Sequence, residues 1–162
     1  MKNIAFLLFV ICCITACNKS LTKQIELAEN QEIKDDLLIQ QYLKKNKIKN
    51  AEKTDEGIYY LVTKKGNGIH PDISNGVECH YKGYLLDGSE FDSSYKRGKP
   101  AVFPLRNVIK GWQIGIPKVS EGGAVTLFIP SKLAYGKRAQ GPNIPANSVL
   151  VFDVELLSIA SK

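Results

Sequence analysis

The chain has 162 residues, 44% of them hydrophobic and 23% charged, which fits one globular domain and excludes a wholly disordered chain or a long repeat array. Its formal net charge is +6, from 22 Lys+Arg against 16 Asp+Glu, and that raises nucleic-acid binding as a question. Four cysteines invite a disulfide framework, but Cys12, Cys13 and Cys17 fall in the first 17 residues and only Cys79 lies beyond them.

Met1-Lys2-Asn3 leads into an apolar run of 13 residues, Ile4 to Ala16. A membrane-spanning helix needs roughly 20, so this run is too short to cross and stay. A positive start, a short apolar core and a small residue before a break make the plan of a secretory signal. Ile14-Thr15-Ala16-Cys17 resembles the bacterial lipobox. That resemblance implies removal of residues 1–16, a diacylated Cys17 thiol and a further acyl chain on the new N-terminus. The alternative is plain cleavage near Ala16. Several acyl chains anchor stably where one binds only marginally, since each buried CH2 adds about 0.8 kcal/mol. The expected location is the bacterial cell envelope, lipid-anchored on the periplasmic side of the outer membrane. With Cys17 lipidated, Cys79 has no partner and the fold is expected to stand without disulfides.

Residues 17–56 carry 8 basic and 8 acidic groups, and residues 57–162 carry 13 and 8, so the excess positive charge belongs to the C-terminal part. From Ser20 to Asn50 the chain lacks Pro and Gly and places Leu21, Ile25, Ala28, Leu38, Ile39, Tyr42 and Leu43 at loosely helical spacing. Asp35-Asp36 ahead of Lys44-Lys45 and Lys47 suits the helix dipole. A lipidated N-terminus and helical stalk are expected over 17–56. A dimerising coil through residues 20–50 is the alternative, although Glu32 interrupts its stripe.

From Gly57 the texture changes to short β-rich runs. Ile58 to Thr63 reads as a strand closed by Gly66-Asn67-Gly68, and Asn75-Gly76 precedes a second strand, Val77 to Leu86. Asp87-Gly88 before Phe91 predicts a two-residue hairpin, because both residues tolerate positive φ. Asn107 is placed to N-cap a short helix carrying Val108, Ile109 and Trp112. Ala124 to Ile129 and Val149 to Leu157 supply two more strands. Antiparallel strands with one short helix make an α+β domain over 57–162.

Familiar catalytic apparatus is nearly absent. Cys79 and His80 are strand neighbours, so they point to opposite faces and cannot chelate one metal together. No His is placed by sequence to activate Ser93 or Ser94. Gly136 to Gly141 has the spacing of a phosphate loop but runs on into Pro142-Asn143 without the required Lys-Ser/Thr. No metal and no cofactor are expected. Lys96-Arg97, Lys99, Arg106, Lys110 and Lys137-Arg138 read as a solvated basic rim, and nucleic acid is not an expected partner. What remains is a surplus of aromatic residues, Tyr81, Phe91, Phe103, Trp112, Tyr135 and Phe152, which fit either a core or a cleft.

Their order decides. The run from Tyr81 to Ser94, Phe103-Pro104-Leu105, Val108-Ile109-Lys110-Gly111-Trp112, Ala134-Tyr135-Gly136, and Ile144-Pro145 through Leu157 together resemble the FKBP-type peptidyl-prolyl cis-trans isomerases. The resemblance covers roughly 57–160 and implies an antiparallel sheet wrapped around one short α-helix. It implies Trp112 as the floor of a proline-binding cleft, with Tyr81, Phe91, Phe103, Val108, Ile109 and Phe152 as walls. It also implies that the Ile109 amide binds a substrate carbonyl and that Tyr135 donates its hydroxyl to the carbonyl of the rotating bond. Asp92 would sit at the reacting amide, oriented by Arg97 and the Tyr81 hydroxyl. The implied partners are proline-containing polypeptides folding after export.

Rotation about a peptide bond has a barrier of about 18–20 kcal/mol and breaks no covalent bond. An apolar cleft favours the twisted, less charge-separated amide. A hypothetical ~10^5-fold acceleration asks for about 7 kcal/mol. The sequence departs from the family pattern at Ala101, which opens one wall, at Asn107, and in the loop Lys137 to Asn143. That loop is expected to overhang the cleft and, through Lys137 and Arg138, to favour acidic clients. The rival readings are a non-catalytic chaperone using the same cleft and a structural subunit of a cell-envelope machine.

Overall fold

The structure, a computed structural model, describes residues 23–24 and 30–160. The signal segment, Cys17, Leu21, Ile25 and Ala28 lie outside the described residues. The first described element of length is helix α1 (Gln31–Lys45). Asn30 caps it by accepting the Glu32 N–H at 2.8 Å, and Lys44 and Lys45 fill its last turn, the polarity that the helix dipole favours. It stops where Lys47 turns left-handed at φ 56° and the Ile48 N–H reaches back to the Leu43 carbonyl at 2.9 Å, a Schellman ending.

Seven strands follow: β1 (Glu52–Lys53), β2 (Tyr59–Lys64), β3 (Gly76–Leu85), β4 (Glu90–Ser93), β5 (Ala101–Pro104), β6 (Ala124–Ile129) and β7 (Leu150–Ala160). They form one sheet in the order β1-β2-β6-β7-β3-β4, and every pairing is antiparallel. β3 is long enough to serve two neighbours on one edge. Its first half pairs with β5 and its second half with β4. The short helix α2 (Lys110–Gly115) lies against one face. The expected α+β architecture, a sheet around one short helix preceded by an N-terminal helix, is what the chain adopts.

The alternation of side chains along the strands gives the sheet two buried faces. Val125, Leu127 and Ile129 of β6 and Leu150, Phe152, Val154 and Leu156 of β7 join Trp112 and Ile116 in the main core. Phe128 and Val151, at the intervening positions, pack with Ile39 and Leu43 of α1, and with Tyr59 and Val149, in a second core. Gly111 and Gly115 let α2 come close to β6. A Cβ on Gly111 would lie 2.3 Å from Ile129 Cγ2, and one on Gly115 would lie 2.7 Å from Leu127 Cδ1.

Four expectations change. Helix α1, read as part of a spacer, is docked on the sheet, so the packed unit takes in residues of the 17–56 segment. The seam a dimerising coil would use is occupied within one chain over residues 31–45, because Ile39 is fully buried against its own sheet. The Asp87-Gly88 hairpin has a four-residue connection, 86–89, and only Gly88 takes positive φ, at 92°. There the Asp87 carboxylate accepts the Ser89 N–H at 2.8 Å, which stabilises the wider turn. Asn107 does not cap α2. It closes a 3₁₀ turn, Leu105–Asn107, and Ile109 stands at the N-cap.

Candidate active site

A cleft of about 520 Å³ opens beside α2, lined by Tyr81, Phe91, Asp92, Phe103, Asn107, Val108, Ile109, Trp112, Tyr135, Ile144 and Phe152. Its floor is built from rings. Trp112 meets Tyr81, Phe103 and Phe152 edge to face at centroid distances of 5.2, 5.7 and 5.3 Å, and Phe91 meets Phe152 at 5.5 Å. These T-shaped contacts suit the aromatic quadrupoles. They hold a flat, largely apolar surface, in which the buried Trp112 Nε1–H has no acceptor among the described residues. β3 approaches the two phenylalanines because residue 83 is glycine. A Cβ there would fall 2.5 Å from Phe91 and 2.8 Å from Phe152.

At one edge of the rings stands a three-member polar network. The Tyr81 hydroxyl and the Arg97 guanidinium each donate to Asp92, and Arg97 Nη2 donates to the Tyr81 hydroxyl oxygen at 2.7 Å. Partial burial pushes the Asp92 carboxyl up. The donors Tyr81 and Arg97, with the Arg97 charge, outweigh it and hold the group below its ordinary value. Burial, and then the hydrogen bond to Asp92, push the Tyr81 phenol up to about 12.

The donors that face the cleft come from chain geometry. Ile109, at φ −57° and ψ 151°, precedes α2, and its carbonyl accepts from the Trp112 and Gln113 N–H groups. The Gln113 side chain ties down the approach to it by donating to the Arg106 and Val108 carbonyls at 3.0 and 2.7 Å. Among the described residues neither the Ile109 N–H nor the Tyr135 hydroxyl has an acceptor. Burial, and the nearby charge of Asp92, raise the Tyr135 phenol above its ordinary value, so it is a protonated donor at neutral pH.

The residues expected to form the site therefore come together with one distinction: Arg97 stands behind Asp92 and outside the lining. Ile144 and Asn107 complete the lining. Ile144 opens the Ile144-Pro145 motif and is buried where the exposed loop before it ends. Ala101 is not among the lining residues; it pairs with Cys79, and Phe103, two residues on along the same strand, lines the cleft. The loop Lys137 to Asn143 stays off the lining, which its flanks Tyr135 and Ile144 supply. The structure does bring a histidine to Ser94, with His80 Nδ1 3.0 Å from Ser94 Oγ. That serine is fully buried and its Oγ accepts the Tyr81 N–H at 2.8 Å. The pair fixes Tyr81 and offers no accessible nucleophile. Cys79 is buried and unpaired, its thiol pushed up to about 12 by burial.

The sequence profile described as FKBP-type peptidyl-prolyl cis-trans isomerase matches residues 68–157. The chain belongs to that family. Every residue of the cleft lies inside the matched span. Among relatives, the FKBP-type isomerase FkpA of Buchnera aphidicola subsp. Baizongia pistaciae is 46% identical over 135 residues, covering 83% of this chain and 52% of its own. FkpA of Aeromonas hydrophila is 50% identical over 74% of this chain and 45% of its own. The chain thus spans about half the length of the curated relatives it matches. The crystal structure of Escherichia coli FkpA aligns at TM-score 0.71 and 39% identity, over 96% of this chain and 70% of that one. A prolyl isomerase from Pseudomonas syringae pv. tomato aligns at TM-score 0.67 and 32% identity, over 75% of this chain and 90% of that one.

Proposed function

We propose that this FKBP-family chain catalyses cis-trans isomerisation of X-Pro bonds in exported polypeptides, anchored in the bacterial envelope through Cys17. The observation that carries the catalytic reading is an aromatic-floored cleft whose lining includes the Ile109 N–H and the Tyr135 hydroxyl, donors without an acceptor among the described residues, beside the buried Trp112 Nε1–H. The proline ring sits on Trp112 and displaces water from the amide before it. Loss of that water raises the planar, charge-separated amide more than the twisted one. The Ile109 N–H holds one carbonyl of the peptide and the Tyr135 hydroxyl meets the carbonyl of the rotating bond. Anionic Asp92, held by Tyr81 and Arg97, offers its field to the amide nitrogen as that atom becomes pyramidal. No covalent bond breaks, so the steps use binding, orientation and exclusion of water alone.

The test is a proline-peptide isomerisation assay on a chain that keeps α1. Wild type is expected to run well above the uncatalysed rate, with kcat/KM lowered about tenfold or more by Tyr135→Phe or Asp92→Val. A wild type no faster than buffer would sink the enzymatic reading. Equal rates for all three would sink the site assignment. Trp112 is the sole tryptophan, so its fluorescence reports peptide binding in the cleft separately from turnover.

The envelope location rests on the apolar run of 13 residues and the lipobox-like Ile14-Thr15-Ala16-Cys17. Labelled fatty acid should enter the wild-type chain in bacteria and be lost on Cys17→Ser. Retained label would refute the anchor.

A further inference from the structure

Tyr135 is 36% exposed, so packing covers only part of its ring, and the backbone beneath it contributes to the aim of its hydroxyl. That backbone hangs on Ser131, the first residue of a 3₁₀ turn, Ser131–Leu133. The Ser131 carbonyl accepts the N–H groups of Ala134 at 3.0 Å and Gly136 at 2.8 Å, one on each side of Tyr135. The Ser131 donors both run to a single oxygen of Asp35, the N–H at 2.8 Å and the hydroxyl at 2.6 Å. Asp35 belongs to α1, is 1% exposed, and takes Gln31 Nε2 on its other oxygen at 2.6 Å. A carboxylate taken out of water is stable only while its acceptor sites are filled. Helix and turn therefore hold each other in one arrangement.

We propose that Asp35 is a positioning residue for Tyr135, which makes the N-terminal helix a working part of the cleft. The inference rests on the reading of Tyr135 as the hydroxyl that meets the substrate carbonyl. Water could satisfy Ser131 if α1 were moved, but water fixes no direction, and small misplacement of a catalytic group costs large factors in rate. Asp36, the next residue, supplies an internal control. It bonds Lys53 at 2.6 Å and Tyr59 at 2.9 Å, anchoring the same helix to β1 and β2 without touching Ser131.

The experiment places Asp35→Ala, Asp35→Asn and Asp36→Asn in the full chain, each with and without Tyr135→Phe. Asp35→Ala is expected to lower kcat/KM about tenfold beside Tyr135 and less than about twofold beside Phe at that position. Asp35→Asn keeps an acceptor oxygen for Ser131 and is expected to stay within about threefold of wild type, as is Asp36→Asn. Equal factors in the two backgrounds would overturn the proposal. A readout independent of turnover is the ring signal of Tyr135 in chain with 13C-labelled tyrosine, assigned by its loss in Tyr135→Phe. Asp35→Ala should shift it and Asp36→Asn should not, and an unmoved signal refutes the positioning role. An inactive wild type would count against the isomerase reading, and the ring signal would then decide this one. Should Asp35→Ala fail to fold, Ser131→Ala removes the hydroxyl donor alone and must show the same non-additivity with Tyr135→Phe, or the proposal falls.

Discussion

Asp92 owes its charge to a contest at the scale of single residues. Burial favours the neutral acid, while two side-chain donors, the Tyr81 hydroxyl and the charged Arg97 guanidinium, favour the anion and win. Tyr81 moves the opposite way, to about 12, so through neutral pH the trio keeps one charge state: carboxylate, phenol, guanidinium. The signs give opposite stability windows. The lowered Asp92 contributes stability that is present above its ordinary value of 3.8 and lost as pH falls through its native value. The raised Tyr81 contributes stability present below 10 and lost as pH rises through about 12. Asp92→Asn should therefore flatten the acid limb of the melting-temperature profile and leave the neutral plateau's slope unchanged. Unaltered acid melting would show that Asp92 is not held as described. Arg97 is exposed and its contact is screened by water, so we assign it orientation of Asp92 in preference to bulk stability.

Helix α2 has only six residues and two of them are glycine, a composition that argues against a helix on propensity. Packing overrides it. Gly111→Ala would gain about 1 kcal/mol in helix propensity. It would also drive a methyl group to 2.3 Å from Ile129, which is fully buried and has nowhere to go. Overpacking of this kind costs about 1–3 kcal/mol, and the contact is short enough that we expect the clash to prevail. Urea unfolding should show net destabilisation together with loss of cleft binding, because Trp112 follows Gly111 directly. A stabilised variant would mean that α2 can lift from β6 without cost. The same logic applies at Gly83, where the absent side chain makes room for Phe91 and Phe152.

Over the whole molecule, the sheet is covered on both sides, by α2 on the face that carries the cleft and by α1 on the other. Asp36, Lys53 and Tyr59 stitch the edge of the second core, and Phe128 and Val151 fill it. Ile39→Ala empties a fully buried site and should cost about 2–5 kcal/mol, read as a single shifted urea transition if α1 and the sheet unfold together. A separate early transition would show α1 to be an independent unit. A chain starting at residue 57 would leave Phe128, Val149 and Val151 without their cover and should be markedly less stable than one starting at residue 30.

Much of this was legible in the chain. The strand Ala124–Ile129 and a strand at Val77 to Leu86, observed as Gly76–Leu85, follow from β-rich runs between turn residues, while the cleft was what the family resemblance of the motifs from Tyr81 to Leu157 implied. Less legible was the role of residues 31–45. Phe128 and Val151 are apolar at positions where one-sided alternation calls for polar residues, a sign of a covered second face, yet nothing local names the cover. Likewise Asp35 and Asp36 read as helix-dipole charges, since their partners Ser131, Lys53 and Tyr59 are distant or sequentially unremarkable. The sequence by itself determined the strands, through short runs of residue types, and the family, through the order of its motifs, and the family resemblance in turn implied the aromatic floor. Only the tertiary structure decided that the supposed stalk helix packs on the sheet and that its Asp35 reaches the turn before Tyr135. A contact across 96 residues comes from closing the sheet over α1, and neither propensity nor spacing encodes where that closure brings two side chains.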